Sequence, residues 1–257
     1  MTRPRILVAL VILLFAGGVG AYIAYDQVLS GDSAAPLAFP SASAAAGASG
    51  TASAGPIASA ATSADPAAAT APTSDGIVSG TWTVTTGTEA GYRVRERLAN
   101  LDAESDAIGR TKDVTGSITL TSEGSTTTLT AGTIEVNTTT ITSDKNMRDN
   151  RLRREGLQTD TFPTASFTLT KPVEVPAAAL AGTATDVTLV GDLTLHGVTK
   201  SVEIPAQAKL ADGTVQVLGS IGFPLADYDI TAPNIGGFIV SIADQGTLEF
   251  VAVFAKG

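Results

Sequence analysis

Thr247-Leu248-Glu249-Phe250-Val251-Ala252-Val253-Phe254 sets Leu248, Phe250, Ala252 and Phe254 on one side of an extended chain and Glu249 on the other. This is the period of two that a half-buried strand requires. The same pattern recurs upstream. Ile118 and Leu120 point together, and runs rich in Thr, Val and Ile occupy residues 80–86, 115–121, 126–136, 166–169, 186–194, 201–208, 216–223 and 237–243. Gly, Asp, Asn, Ser or Pro separate them, as strand boundaries demand. Residues 122–125 and 211–214 have hairpin-turn composition, so neighbouring strands are expected to run antiparallel. Helical patterning is confined to two short pieces, residues 91–101 and 144–156. The absence of a strand–helix–strand rhythm disfavours a doubly wound α/β fold. What remains is an all-β barrel or sandwich of eight or nine strands.

This β-rich part spans residues 76–257, enough for one domain with a substantial core. The preceding residues are different in kind. Residues 6–25 (ILVALVILLFAGGVGAYIAY) contain no charge and follow Arg3 and Arg5. About twenty apolar residues suffice to cross a bilayer as a helix. The basic flank places residues 1–5 in the cytoplasm and everything after the span outside. The segment therefore reads as a single-pass anchor in the cell membrane; cleavage after Val19-Gly20-Ala21 would instead secrete the domain. Residues 26–75 are expected to form a flexible Ala/Ser/Thr/Pro-rich linker, with Phe39 its one aromatic. Such sequence buries too little apolar surface to offset its ordering entropy, and it would span about 35 Å as a random coil.

Composition removes whole classes of function. With no cysteine there is no thiol nucleophile, disulfide or Cys-based metal site, and His196, the one histidine, has only carboxylates as partners for a metal. No cofactor or metal is expected. A net charge of −9 repels polyanions, so nucleic acid is not a partner. Any Ser/His/Asp arrangement would have to be built around His196, with Asp192 or Ser201. No G-x-S-x-G elbow supports it, and a turn histidine bonded to backbone is the commoner arrangement. Asp227 and Asp229 flank Tyr228 in a loop, where carboxylates are usually solvated. Phosphate-binding glycine loops are absent.

The distinctive local feature is Asp144-Lys145-Asn146-Met147-Arg148-Asp149-Asn150-Arg151-Leu152-Arg153-Arg154-Glu155, strongly basic within a domain of 14 basic against 21 acidic residues. It reads either as a solvated short helix with internal Arg–Asp pairs or as a cationic rim for an anionic head group.

Three stretches then carry a resemblance. Arg148-Asp149-Asn150-Arg151-Leu152-Arg153, Phe162-Pro163-Thr164-Ala165-Ser166-Phe167 and Gly191-Asp192-Leu193-Thr194-Leu195-His196-Gly197-Val198-Thr199-Lys200 resemble, in order and spacing, three signatures of the YceI-like family. The opening, Gly80 to Val84 and then Tyr92-Arg93-Val94-Arg95-Glu96, is similar to a subgroup with Y-x-V-x-E and departs from the commoner H-S-x-v-x-F-x-v-x-H start. The resemblance implies an extended, eight-stranded, lipocalin-like antiparallel barrel that binds a long-chain isoprenoid or similar lipid without catalysis. It implies a lining drawn from Ile118, Leu120, Phe167, Leu193, Phe223, Phe238, Phe250 and Phe254, with Trp82 and Tyr92. Leu152 and Phe162 belong to the same signatures, and Arg148, Arg151 and Arg110 are expected to orient a polar or phosphorylated head at the mouth. Two rivals stay open, an exported hydrolase or isomerase using His196 and an interaction domain whose barrel is filled by its own side chains. A homodimer is also left open.

Overall fold

The computed structural model describes residues 34–40, 78–98, 104–232 and 239–257. Within them the chain forms strands β1 (Gly80–Val84), β2 (Glu89–Leu98), β3 (Glu104–Thr111), β4 (Val114–Glu123), β5 (Thr126–Asn137) and β6 (Thr164–Leu169). There follow β7 (Val173–Val175), β8 (Thr185–Leu195), β9 (Val198–Ala211), β10 (Thr214–Pro224) and β11 (Ile239–Lys256). Two short helices interrupt them, α1 (Asn146–Arg151), prolonged by one wider turn over Leu152–Gly156, and α2 (Ala177–Leu180).

Eight strands close a ring in the order β1-β4-β5-β6-β8-β9-β10-β11, with β1 joined to both β4 and β11. Every pairing is antiparallel. β11 is long enough to serve two neighbours: its C-terminal part pairs with β1, and from Val251 backwards it pairs with β2, which in turn pairs with β3. The described part of the run at 237–243, from Ile239, and the run at 247–254 thus belong to one strand, broken in register between Ile242 and Gly246.

The turns follow local chemistry. His196-Gly197 (φ +52° and +77°) joins β8 to β9, and Asp212-Gly213 (φ +51° and +71°) joins β9 to β10. Two positive φ angles in a two-residue loop match the twist of the flanking strands, which is why glycine and a short polar or His residue stand there.

Within the stretch expected to be helical, residues 91–98 are not, and residues 99–101 lie outside the described residues. From Glu89 to Leu98 the chain is β2, with Tyr92, Val94 and Glu96 facing inward and Arg93, Arg95 and Arg97 outward. Arg93 pairs with Asp106 at 2.9 Å and Arg95 with Glu104 at 3.3 Å across to β3, a strand that the pattern of residues 104–111 did not announce. The Arg, Glu and Leu of this stretch favour helices only weakly, and cross-strand pairing plus burial of the alternate face outweighs that preference.

Part of the expected linker is also placed. Residues 34–40 lie against the outer face of the barrel: the Ala34 carbonyl accepts from Arg93 Nη2 at 2.9 Å, the Ala35 carbonyl accepts from Arg110 Nη2, and Lys209 Nζ stands 4.5 Å from the centre of the Phe39 ring. Pro40 reaches the turn at Gly87 beside Val253. Leu37, Phe39 and two prolines supply apolar surface with little chain entropy to lose. The expected anchor at residues 6–25, the linker from residue 41 to 75, and Phe238 lie outside the described residues. Among the described residues no helix is long and apolar enough to cross a membrane.

Candidate binding cavity

Inward-facing side chains of the ring do not fill it. They leave a cavity of about 240 Å³ whose wall is drawn from nearly every strand. Its flank is aliphatic and aromatic: Ile118 of β4, Ile134 of β5, Phe167 of β6, Leu189 and Leu193 of β8, Ile204 of β9, Phe223 of β10, and Leu248, Phe250 and Phe254 of β11 all contribute. One end, around Val78, Trp82 and Phe254, is closely packed; Trp82 is 3% exposed and its Nε1 donates to the Val78 carbonyl at 2.8 Å.

Glycines on inward strand positions create room for the rings beside them. A Cβ on Gly109 would stand 2.3 Å from the Tyr92 ring, and one on Gly191 would stand 2.3 Å from the Thr168 carbonyl and 2.5 Å from Phe167. Real Cβ atoms do not approach so closely. The glycines therefore let two aromatic side chains lie flat along the wall rather than project across the cavity.

At the other end a buried ion pair stands behind the apolar wall. Glu96, inward on β2 and 3% exposed, receives Arg148 Nη2 at 2.5 Å from α1, and Arg148 Nη1 also pairs with Asp144. Both Glu96 and Arg148 line the cavity, together with Tyr92, Ile141, Leu152 and Leu157. Asp149 anchors α1 from beneath, its Oδ1 accepting from the Ser143 backbone N–H at 3.0 Å and from Ser143 Oγ at 2.6 Å. Burial pushes the Tyr92 phenol well above the usual tyrosine range; Arg148 opposes this, while Asp149, Glu96 and Asp144 add to it. Burial works against the charge of Arg148, but Glu96 and Asp144 outweigh it and raise its pKa. After these contacts Glu96 Oε2 and Arg148 Nε are buried with no hydrogen-bond partner among the described residues.

Of the residues singled out by sequence, Tyr92, Ile118, Arg148, Leu152, Phe167, Leu193, Phe223, Phe250 and Phe254 meet in the cavity wall. Leu120 instead lines a smaller void of about 40 Å³ under α2, and Trp82 belongs to the packed end. Phe162 lies edge-on to His196, ring centres 4.5 Å apart, and Arg151 is not part of the wall. Arg110 sits on the opposite face of its sheet, where its Nη2 pairs with Glu249 at 2.7 Å. Glu96 was missed because residues 91–101 read as a helix; the alternation of Tyr92, Val94 and Glu96 was the signal available for it.

His196 is a turn residue held in place by its ring. Its Nδ1 is 3.0 Å from the Tyr228 carbonyl, its Nε2 is buried with no partner among the described residues, and Phe162 meets the ring edge-on. Asp192 and Ser201 face one another across β8 and β9, four or five residues further along the hairpin. They form no relay with the imidazole. Among the described residues no cluster of His, Asp and Glu is arranged to hold a metal.

A model of the YceI-like domain matches residues 82–254. Among solved structures, a polyisoprenoid-binding domain from Saccharophagus degradans implicated in plant cell wall breakdown superposes with a TM-score of 0.54 at 18% identity, covering 70% of this chain and 99% of its own. BcnA from Burkholderia cenocepacia (TM-score 0.49, 14% identity, 65% and 95% covered) and the Campylobacter jejuni YceI protein (0.45, 16%, 63% and 90%) are similar at lower scores. No curated protein sequence matches the chain.

Proposed function

The chain belongs to the YceI-like family, and we propose that it binds, and carries or sequesters, a long-chain isoprenoid or similar amphiphilic lipid in its barrel, outside the cytoplasmic membrane. One observation carries the reading: the ring encloses a cavity of about 240 Å³ whose exposed wall is almost wholly apolar, the shape of a lipid tail in negative. Burial of each CH₂ contributes about 0.8 kcal/mol, so ten methylenes contribute roughly 8 kcal/mol before ordering costs. Chain burial dominates affinity, and the head needs few contacts. The Saccharophagus degradans domain of the same fold is described as polyisoprenoid-binding, which agrees with this reading. The uncharged residues 6–25 support attachment to the membrane, with the barrel on its outer side.

The test is native mass spectrometry of protein extracted gently from its own membrane, followed by uptake of added polyprenyl lipids. A co-purifying lipid, or stoichiometric uptake that Leu189→Trp abolishes by filling the cavity, is the expected outcome. Neither endogenous lipid nor uptake by the wild-type protein would remove the reading.

A further inference from the structure

Resting on the reading of the cavity as a lipid site, we infer that Ile118, Leu129, Leu189 and Val217 form a septum across the barrel that fixes where a bound tail ends and so selects the tail by length. Each of the four stands in the wall of the main cavity and also in the wall of the smaller void under α2. A side chain shared by two voids is the partition between them. The four come from separate strands, β4, β5, β8 and β10, so the partition is built from around the ring rather than along one side.

Beyond the septum the wall is short or aliphatic, with Leu120, Val187, Ala208 and Leu210 from the strands and Ala179 and Leu180 from α2. Ala179 is 1% exposed, so α2 is seated on this void. Lys209 also belongs to the wall, with its ammonium drawn to the Phe39 ring. A void of about 40 Å³ has room for a water, yet this wall gives water nothing to bond, and apolar cavities of that kind stay empty.

Leu129 owes its place to a bulge. β4 and β5 pair in step from Val114 and Val136 to Thr119 and Ala131, and then Leu120 meets Leu129, leaving Thr130 as an extra residue. The extra residue reverses the parity of the strand: Gly132, Ile134 and Val136 line the cavity before it and Leu129 after it, while Thr130 is exposed and its Oγ1 donates to the Thr119 carbonyl at 3.3 Å. With unbroken alternation Thr128 and Thr130 would face inward and Leu129 outward. Bulges re-aim side chains, and this one sets a leucine into the partition. Gly132 beside it leaves room for Ile118, since a Cβ there would stand 3.3 Å from Ile118 Cγ2. Each isoprene unit buried before the septum adds to affinity, and a tail that has reached it has no further wall to cover.

The experiment is native mass spectrometry of the full chain offered an equimolar mixture of prenyl alcohols of three to seven isoprene units, which share one head. For the wild type, occupancy is expected to rise with length to a break and then stop rising. Leu129→Ala removes three carbons and joins the void to the cavity, so the break should move one isoprene unit further, the first prenol past the wild-type break gaining about fivefold over the prenol at it. Leu193→Ala, which enlarges the cavity by as much but away from the void, should leave the break in place. No break in the wild type, an unmoved break in Leu129→Ala, or an equal shift in both variants would overturn the septum and leave lipid binding standing. Uptake of no prenol by the wild-type protein would overturn the inference together with the reading of the cavity. If Leu129→Ala fails to fold, Val217→Ala opens the same partition and decides by the same shift.

Discussion

Two Arg–Glu clusters, assembled from the same two residue types, do different work on the two faces of one sheet. Inside, Glu96 holds Arg148 against the cavity, with side chains 3% and 12% exposed. Outside, Glu249 lies between Arg110 at 2.7 Å and Arg93 at 3.7 Å, and these arginines reach on to the carbonyls of Ala34 and Ala35. The outer arginines are about 20% exposed. Parity separates the clusters: in β2 the even positions face the cavity and the odd ones the exterior, and Glu249 is paired with Gly91, an odd position. Glu96 pairs with Arg148 alone among the described residues, whereas Glu249 has a second arginine within reach. A shared interaction type therefore carries different energetic weight according to what surrounds it.

Removing one partner from each cluster should show this most plainly. Arg148→Met leaves the Glu96 carboxylate buried and unpaired, and about 3–5 kcal/mol of stability should be lost in urea unfolding. Arg110→Met leaves Glu249 with Arg93, and the loss should be about 1–2 kcal/mol. Equal losses would dissolve the distinction between inside and outside.

Next in size is the response to alkaline pH. The Tyr92 phenol has its pKa raised by burial, so the native state keeps its proton where the unfolded chain gives it up. Its contribution is complete below about pH 10 and is lost as pH rises above that, at up to about 1.4 kcal/mol per pH unit. Tyr228, raised mainly by burial and further by Asp227, acts in the same direction. Tyr92→Phe should flatten the fall measured between pH 9.5 and 11 by equilibrium unfolding; an unchanged slope would place the phenol in water rather than at the cavity end.

The smallest effect concerns the docked segment. Phe39→Ala removes the ring beneath Lys209 and should cost about 1 kcal/mol, a cation–π contact with some apolar burial, seen as a modest drop in Tm. No change in Tm would mean that the Ala34 and Ala35 carbonyls alone hold residues 34–40 to the outer cluster.

Much of this molecule was legible where a rule acts over a few residues. The alternation in 247–254 marked the inward face of β11, and the His196-Gly197 and Asp212-Gly213 turns lie where composition favours a tight reversal. Legibility failed at β2, where Arg, Glu and Leu suggest a helix and only pairing with β3 and β11 makes a strand. It failed also for the site, since Glu96 and Arg148 are 52 residues apart and nothing in either neighbourhood names the other. Arg110 looked equivalent to Arg148 as an isolated cation; its register opposite Gly91 turned it outward. The linker looked uniform, and the brief apolar content of residues 36–40 became significant only against a face able to receive it.

By itself the sequence determined an antiparallel all-β domain with its turns, because period-two burial and positive φ are properties of short peptides. Tertiary structure alone decided that β1 and β11 close the ring, which cluster of charges lies within it, and that a cavity is left over. Ring closure joins residues such as Trp82 and Lys256 from opposite ends of the domain, and a void is the difference between the volume a ring encloses and the side chains sent into it. Neither quantity exists until every strand has its neighbours.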